Sequence, residues 1–303
     1  MKRVKYVEID FNQNYFKQLE RIRTRLQSEY YERESLIRCA LVSVIAGEHM
    51  LLIGPPGTAK SSVLERLFQC FRELNIFKWS MNYDTTPDEI LGPYEESLYT
   101  KGQLRRKTVG KLPEAHMAIL DEILRAKGET LNSLLDVINE RTILQMSERV
   151  KVPLISLFGA TNELHDEEQN HALYDRFLIR IKVGYVIFPD ALKDMLTSKH
   201  MHEESYDSIS LIDLNKLRMN SEFVIIPDEI IDAIVLIRTQ LFKARIYPSD
   251  RRLKASLKLL KASALLDGRL VVQNRDLQIL YYVLWNKPAD EDKVTRILSD
   301  HLR

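Results

Sequence analysis

Only two cysteines occur in the chain, Cys39 and Cys70, and both sit inside apolar patterns of helical spacing. This excludes a disulfide framework or a cysteine metal site and leaves them as small core residues. No run approaches eighteen consecutive apolar residues, so no membrane-spanning helix is expected. Residues 1–10 are basic but contain no apolar stretch of the kind a secretory signal needs. The expected location is therefore the reducing cytoplasm. The formal net charge is only +1, so overall charge does not point to nucleic acid or to a membrane surface. Internal repeats and low-complexity segments are absent, as is any Ser-His-Asp or Cys-His nucleophile arrangement. His200 and His202 lie two apart in a polar stretch without partner ligands, which argues against a metal there. What remains is 303 residues, 45% hydrophobic and 29% charged. That is enough for one large domain or two ordinary ones with a real core.

The most informative stretch is Met50-Leu-Leu-Ile-Gly-Pro-Pro-Gly-Thr-Ala-Lys-Ser-Ser62. Met50 to Ile53 is an apolar run of strand length. From Ser61 onward Val63, Leu64, Leu67, Phe68 and Phe71 recur at helical spacing. A strand, a glycine turn and Lys-Ser opening a helix make up a phosphate-binding loop. Gly54, Pro55, Pro56, Gly57, Thr58, Ala59, Lys60, Ser61 and Ser62 are its candidate nucleotide-binding residues. Backbone amides turn inward on a polyphosphate, and the helix N-terminus adds free donors. Lys60 is expected to reach the β- and γ-phosphates, and Ser61 to offer its hydroxyl to Mg²⁺. Ala59 stands where the motif usually has glycine. It must either keep an ordinary negative φ or carry slight strain.

Upstream, residues 11–46 read as helical and amphipathic, ended by Gly47, and the helix is expected to pack near the base of a bound nucleotide. His49 reads as a satisfied structural residue. Downstream, Phe77 to Asn82 reads as a strand. Thr86-Pro87-Asp88-Glu89 reads as a helix start that Gly92-Pro93 soon stops. From Tyr99 to Leu112 the chain is basic, with Lys101, Arg105, Arg106, Lys107 and Lys111 and no acid, and suggests a hairpin or loop. Met117-Ala-Ile-Leu-Asp121-Glu122 is an apolar strand ending in two acids. Placed some sixty residues after a phosphate loop, Asp121 would hold the Mg²⁺ shell and Glu122 would orient or deprotonate water. A helix over residues 129–138 and a hairpin from Thr142 to Val152 follow. Leu154 to Asn162 is another buried strand, whose polar end places Asn162 near an attacking water or the γ-phosphate. Arg176 is expected on an exposed rim, either paired with Asp175 or Glu168 or acting as an arginine finger. Beyond Pro189 the pattern is helical only: residues 190–200, 228–243, 251–266, and a last helix from Gln273 to Trp285, with residues 203–208 as a loop. The reading is an α/β nucleotide-binding core over residues 1–188 and an all-helical lid over 189–303.

Taken together, these motifs resemble the AAA+ ATPases. The short helix over residues 87–91 and the hairpin over 142–152 are similar to the MoxR group. Ile138-Asn-Glu-Arg141, Ala160-Thr-Asn-Glu-Leu164, residues 172–180 and Ser249-Asp-Arg-Arg252 resemble its RavA-type branch, which also shares the alanine at position 59. The resemblance spans residues 20–288 or so. It implies ATP and Mg²⁺ as cofactors, ATP hydrolysis, and a homo-oligomeric ring, a hexamer, that remodels or assembles proteins. It further implies a von Willebrand factor A-domain partner. By resemblance the catalytic set is Glu122, Asn162 as sensor 1, Arg176 as a finger acting on a neighbour's ATP, and Arg251 as sensor 2 reaching from the lid. Arg180 and Arg252 are the alternatives for the last two. Roles that depend on a further domain beyond the lid are not implied. The competing reading is an AAA+ nucleic-acid motor or loader, for which the basic run 101–111 is the best support. No aromatic is interleaved there, so base stacking is not signalled and nucleic acid is not the expected partner.

Overall fold

The computed structural model describes residues 13–95, 104–146, 148–162, 174–198 and 207–302. Lys101, Glu168, Leu173, His200, His202 and most of the 203–208 loop lie outside them. Helices α1 (Gln13–Glu29) and α2 (Glu34–Ala46) open the fold. The sequence reads as one helix here, but the chain breaks at residues 30–33, where Glu32 takes a left-handed φ of 54°. α1 buries a stripe, Leu19, Ile22 and Leu26, and α2 continues it through Leu36, Ile37, Ala40 and Leu41 while being buried on nearly all sides from Cys39 to Ile45. A 3.6-residue period therefore carries across a break that no glycine or proline marks. α2 ends where expected, at Gly47 with φ 67°.

The strands are β1 (Met50–Ile53), β2 (Phe71–Arg72), β3 (Ile76–Ser80), β4 (Met117–Asp121), β5 (Thr142–Gln145), β6 (Glu148–Lys151), β7 (Ser156–Thr161), β8 (Ile179–Lys182) and β9 (Ile209–Ser210). Five of them form one sheet in the order β3-β4-β7-β1-β8, with every neighbouring pair parallel. A parallel sheet is covered on both faces, which is why β1 and β7 are buried throughout and β4 to its last residue but one. The register aligns Ser80 with Asp121, and Ile53 with both Thr161 and Lys182. The carboxyl ends of the strands thus share one edge, where ligands of such sheets lie. The β5–β6 hairpin is antiparallel, as its sequence suggested.

The remaining helices are α3 (Lys60–Gln69), α4 (Pro87–Leu91), α5 (Gly128–Glu140), α6 (Pro189–Thr197), α7 (Leu211–Glu222), α8 (Asp228–Lys243), α9 (Asp250–Leu266) and α10 (Glu291–His301). α4 carries the expected cap: the Thr86 and Glu89 side chains form a capping box, with Pro87 in the first turn. The described part of the basic segment, from residue 104, ties back to α4 and the chain after it. The Arg106 guanidinium lies 4.0 Å over the Tyr94 ring and donates to Asp88 and to the Gly92 carbonyl. Lys111 donates to the Glu89 carbonyl, and Arg105 pairs with Glu95 at 3.6 Å.

In the helical part, α9 starts on a Ser249 cap that accepts from Arg252 N, and it packs on α2. An ion network joins the two. Asp267 takes Arg38 at 2.8 Å and Arg23 at 3.1 Å, and Arg269 bridges Asp267 to the buried Asp276. The expected last helix, 273–285, is a 3₁₀ run over Asn274–Tyr282, and α10 follows it. Its cap is Gln273, not Asn274, because Asp276 turns back to accept from Gln273 N at 2.8 Å.

Candidate functional site

The phosphate loop leaves β1 through Gly54. A Cβ there would meet the Val183 carbonyl oxygen at 2.0 Å, so only glycine permits the close approach of the two strand ends. Gly57, with φ 79°, makes the left-handed turn at the tip. Ala59 resolves the alternatives left open by its sequence: it is left-handed, with φ 64° and ψ 20°. An alanine there costs about 1–2 kcal/mol. Its carbonyl accepts the early helical bond from Val63 N at 3.0 Å, which holds it in place. Lys60 is buried, and its ammonium folds back on the Gly54 and Pro55 carbonyls. Burial pulls its pKa below the usual lysine value, against the pull of Asp121 and Glu122.

Asp121 ends β4 at the same edge. Its Oδ2 accepts the Ser61 hydroxyl at 3.0 Å, across 60 residues of sequence. These two side chains offer only oxygen, the donor set a hard cation such as Mg²⁺ takes, and so fit the group. Glu122 follows with a left-handed φ of 52°. That turn swings its carboxylate toward β7, where the Asn162 amide donates to Oε1 at 2.7 Å. Arg125 pairs with the other oxygen at 3.3 Å. The strand order β4-β7-β1 thus assembles Lys60, Ser61, Asp121, Glu122 and Asn162 at one edge. Such a set can bind a polyphosphate and hold a water beside it.

Beside Gly57, Thr58 and Ala59 opens a cavity of about 1080 Å³, walled by α1, by Tyr30 and Tyr31, and by Tyr185, Val186, Leu192 and Met195. It flanks the phosphate loop as a nucleoside pocket would, and residues of α1 line it. Ser62, the last of the loop residues, shares a 2.8 Å hydrogen bond with the Tyr30 hydroxyl.

The candidate arginines lie elsewhere. Arg176 and Arg251 line a second cavity, of about 1240 Å³, together with Gly47, Glu48 and His49, the residues that enter β1. This is the amino edge of the sheet, opposite the phosphate loop. Arg176 is not fully exposed on a rim: its side chain is 23% exposed. Its Nη1 lies 3.7 Å from Asp175, and its Nε has no hydrogen-bond partner among the described residues. Arg251 is exposed and donates to Asn139 at 3.1 Å. It therefore does not reach the γ-phosphate position of its own chain. The alternatives are both interior. Arg180 is 2% exposed, stacks on Trp285, and donates to the carbonyls of Val283 and Trp285. Arg252 is 7% exposed and donates to Asp175 at 2.9 Å and to Asn286 at 2.8 Å.

Sequence reasoning missed Arg33, Arg125 and the tyrosines of the first cavity. Among the described residues Arg33 is buried yet bonds only to backbone carbonyls, and carbonyls leave no trace in residue identity. The adjacent pair Tyr30-Tyr31, in the helix break, was the one available signal. His49 is structural, as expected: its Nδ1 accepts from Leu157 N and its Nε2 faces the Ile138 carbonyl, each at 2.9 Å.

A family model described as the MoxR domain in the MoxR-vWA-beta-propeller ternary systems matches residues 17–221, and an AAA lid-domain model matches residues 229–298. An uncharacterized protein of Methanocaldococcus jannaschii is 38% identical over 283 residues, which cover 93% of this chain and 74% of that one. The chaperone MoxR1 of Mycobacterium tuberculosis is 28% identical over 157 residues, 50% of this chain and 41% of that one. A crystal structure from Cytophaga hutchinsonii, provisionally described as an ATPase, superposes with a TM-score of 0.76. It covers 97% of this chain and 96% of its own at 18% identity, a likeness of fold.

Proposed function

Because the chain belongs to the MoxR family of AAA+ ATPases, we propose that it hydrolyses ATP to drive the remodelling or assembly of other proteins. The observation that carries the reading is the meeting of Ser61 with Asp121 and of Asn162 with Glu122, at 3.0 and 2.7 Å, on the edge where the phosphate loop lies. Lys60 leaves its loop carbonyls to hold the β- and γ-phosphates. Ser61 and Asp121 hold Mg²⁺, which when bound neutralises charge on the phosphate oxygens. Glu122, oriented by Asn162, takes the proton of the attacking water. In the test, Lys60→Ala loses ATP binding, whereas Glu122→Gln keeps binding and stops turnover. Equal loss of binding in both variants removes the roles assigned here.

The placement of Arg176 and Arg251 favours a ring. Both stand too far around the sheet to serve the ATP of their own chain, so they act on a neighbour's, with Arg176 as the finger and Arg251 as sensor 2. A homo-hexamer that assembles on a non-hydrolysable ATP analogue is the expected state. The matched family's description supports a von Willebrand factor A-domain partner. The RavA-like branch and a cytoplasmic location remain part of the proposal. So does the division into a core over 1–188 and a lid over 189–303, since the five-stranded sheet ends at Lys182. Among the described residues no helix is long and apolar enough to cross a membrane. Against the nucleic-acid reading, two of the five cations in the basic run, Arg106 and Lys111, are engaged within the fold.

A further inference from the structure

The turn between α1 and α2 is polar and short, yet it grips both walls of the cavity beside the phosphate loop. Arg33 is 6% exposed. Its Nε donates to the Thr58 carbonyl in the loop at 3.1 Å, and its Nη2 donates to the Gly184 carbonyl at 2.7 Å. Its Nη1 donates to the Glu32 carbonyl at 2.8 Å, which ties the guanidinium to its own turn. Glu32 completes the grip. Its carboxylate accepts from Ile187 N at 2.9 Å and from Phe188 N at 2.7 Å. The segment 184–188 carries Tyr185 and Val186 into the cavity, opposite Tyr30 and Tyr31.

The two walls are not equally dependent on this turn. The phosphate loop has bonds of its own: Gly54 N to the Thr161 carbonyl at 3.0 Å, and the Thr58 hydroxyl to the Pro55 carbonyl at 2.9 Å. Among the described residues the 184–188 wall has, besides Arg33 and Glu32, the bond from Leu192 N to the Phe188 carbonyl at 3.0 Å, where α6 begins, and one long bond to the phosphate loop, from the Tyr185 hydroxyl to the Pro56 carbonyl at 3.4 Å. A planar guanidinium spreads its donors over a rigid fork and can hold carbonyls on different segments at once, whereas the three donors of an ammonium radiate from one nitrogen and reach less far apart. We infer that Arg33 is a positioning residue for the nucleoside end of the substrate. Together with Glu32 it fixes the spacing between the phosphate loop and the 184–188 wall, so that recognition of the base and ribose depends on it while the hold on the triphosphate does not. This rests on the ATPase reading above.

The test compares two probes, ATP and inorganic tripolyphosphate, each titrated calorimetrically with Mg²⁺ present. The chains are the intact protein, Arg33→Ala, and Arg33→Lys, which keeps the charge and serves if the alanine variant does not fold. Losing the preset spacing means ordering the wall at the moment of binding, which weakens ATP about tenfold. Tripolyphosphate, held by Lys60 and the loop amides, is expected to bind as it does to the intact protein. The ratio of the two affinities is the readout, because general loosening of the fold moves both probes together. A ratio that shifts by about fivefold or more in favour of tripolyphosphate supports the inference, and a smaller shift overturns it. An intact protein that binds neither probe overturns the ATPase reading and this inference with it. One that binds both, with a flat ratio in the variants, overturns this inference alone.

Discussion

The two edges of the central sheet are built on opposite electrostatic plans. At the carboxyl edge, the titratable groups of the site meet a partner within the chain: Lys60 on loop carbonyls, Ser61 on Asp121, and Glu122 on Asn162 and Arg125. At the amino edge, one cavity gathers Arg141, Arg176, Arg218, Arg251, Lys254, Lys258 and Lys261 around Glu48 and Glu222. Burial, opposed by Glu48 and reinforced by Arg218, brings Arg141 down to about 10. Burial likewise lowers Arg218, so these two have lost part of their hydration, whereas Arg251, Lys254 and Lys258 stand exposed around them. On the ring reading, the first edge is a nearly complete catalytic site and the second is the complement that a neighbour's triphosphate needs. One chain then carries two half-sites, and activity is a property of the interface.

The sharpest way to break this comparison is Arg176→Ala. If Arg176 serves a neighbour, turnover falls by roughly 10³–10⁵ while ATP affinity stays near normal. Mixing that variant with Lys60→Ala subunits restores part of the activity, where an intact Arg176 meets an intact phosphate loop. Normal hydrolysis by the single variant passes the finger role to Arg251 and not to Arg180, whose guanidinium is buried against backbone carbonyls.

A second test separates the neighbouring arginines of α9. Arg252→Ala leaves Asp175 and Asn286 without their buried partner and is expected to destabilise the fold by about 3–5 kcal/mol. Arg251→Ala removes an exposed side chain. It should change stability by less than about 0.5 kcal/mol, yet lower assembled turnover by about 10² if the guanidinium stabilises the transition state. Chemical denaturation and ATPase rates on both variants read the two quantities. The reverse pattern would make Arg252 the functional arginine.

The smallest effect concerns pH and the base of β1. His49 is buried at the amino edge, and burial first, then Arg141, holds its pKa well below the usual value, against the Ile138 carbonyl. Its Nδ1 accepts from Leu157 N, so protonation there would break that bond. The unfolded chain binds the proton near pH 6.5 and the folded chain does not. Stability is therefore full above about pH 6.5 and falls below it by about 1.4 kcal/mol per pH unit. Denaturation midpoints at pH 7.5 and at about pH 5.5 test the slope, which His49→Gln should flatten. An unchanged slope in that variant assigns the acid sensitivity to other groups.

The carboxyl edge was legible in residue types because its chemistry is local in sequence. Glycine, Lys60 and Ser61 sit at fixed offsets, and each acid or amide follows directly on an apolar strand. The amino edge was legible only in part. Arg176, Arg180, Arg251 and Arg252 look alike in the sequence, and burial alone separates the two interior ones from the two that face the cavity. The break after α1 was hidden because both helices keep the same period, and Ala59 left its conformation open.

By itself, the sequence determined the phosphate loop, the buried parallel strands, the polar strand ends and the helical second part. Composition, periodicity and motif spacing act over short stretches of chain, and those features are short-range. Tertiary structure alone decided which arginines face the cavity, on which edge of the sheet they stand, and that Arg33 joins residues 58 and 184 through their carbonyls. Those outcomes depend on which backbone groups long-range packing brings within hydrogen-bond distance. Every residue carries the same carbonyl, so its identity cannot announce them.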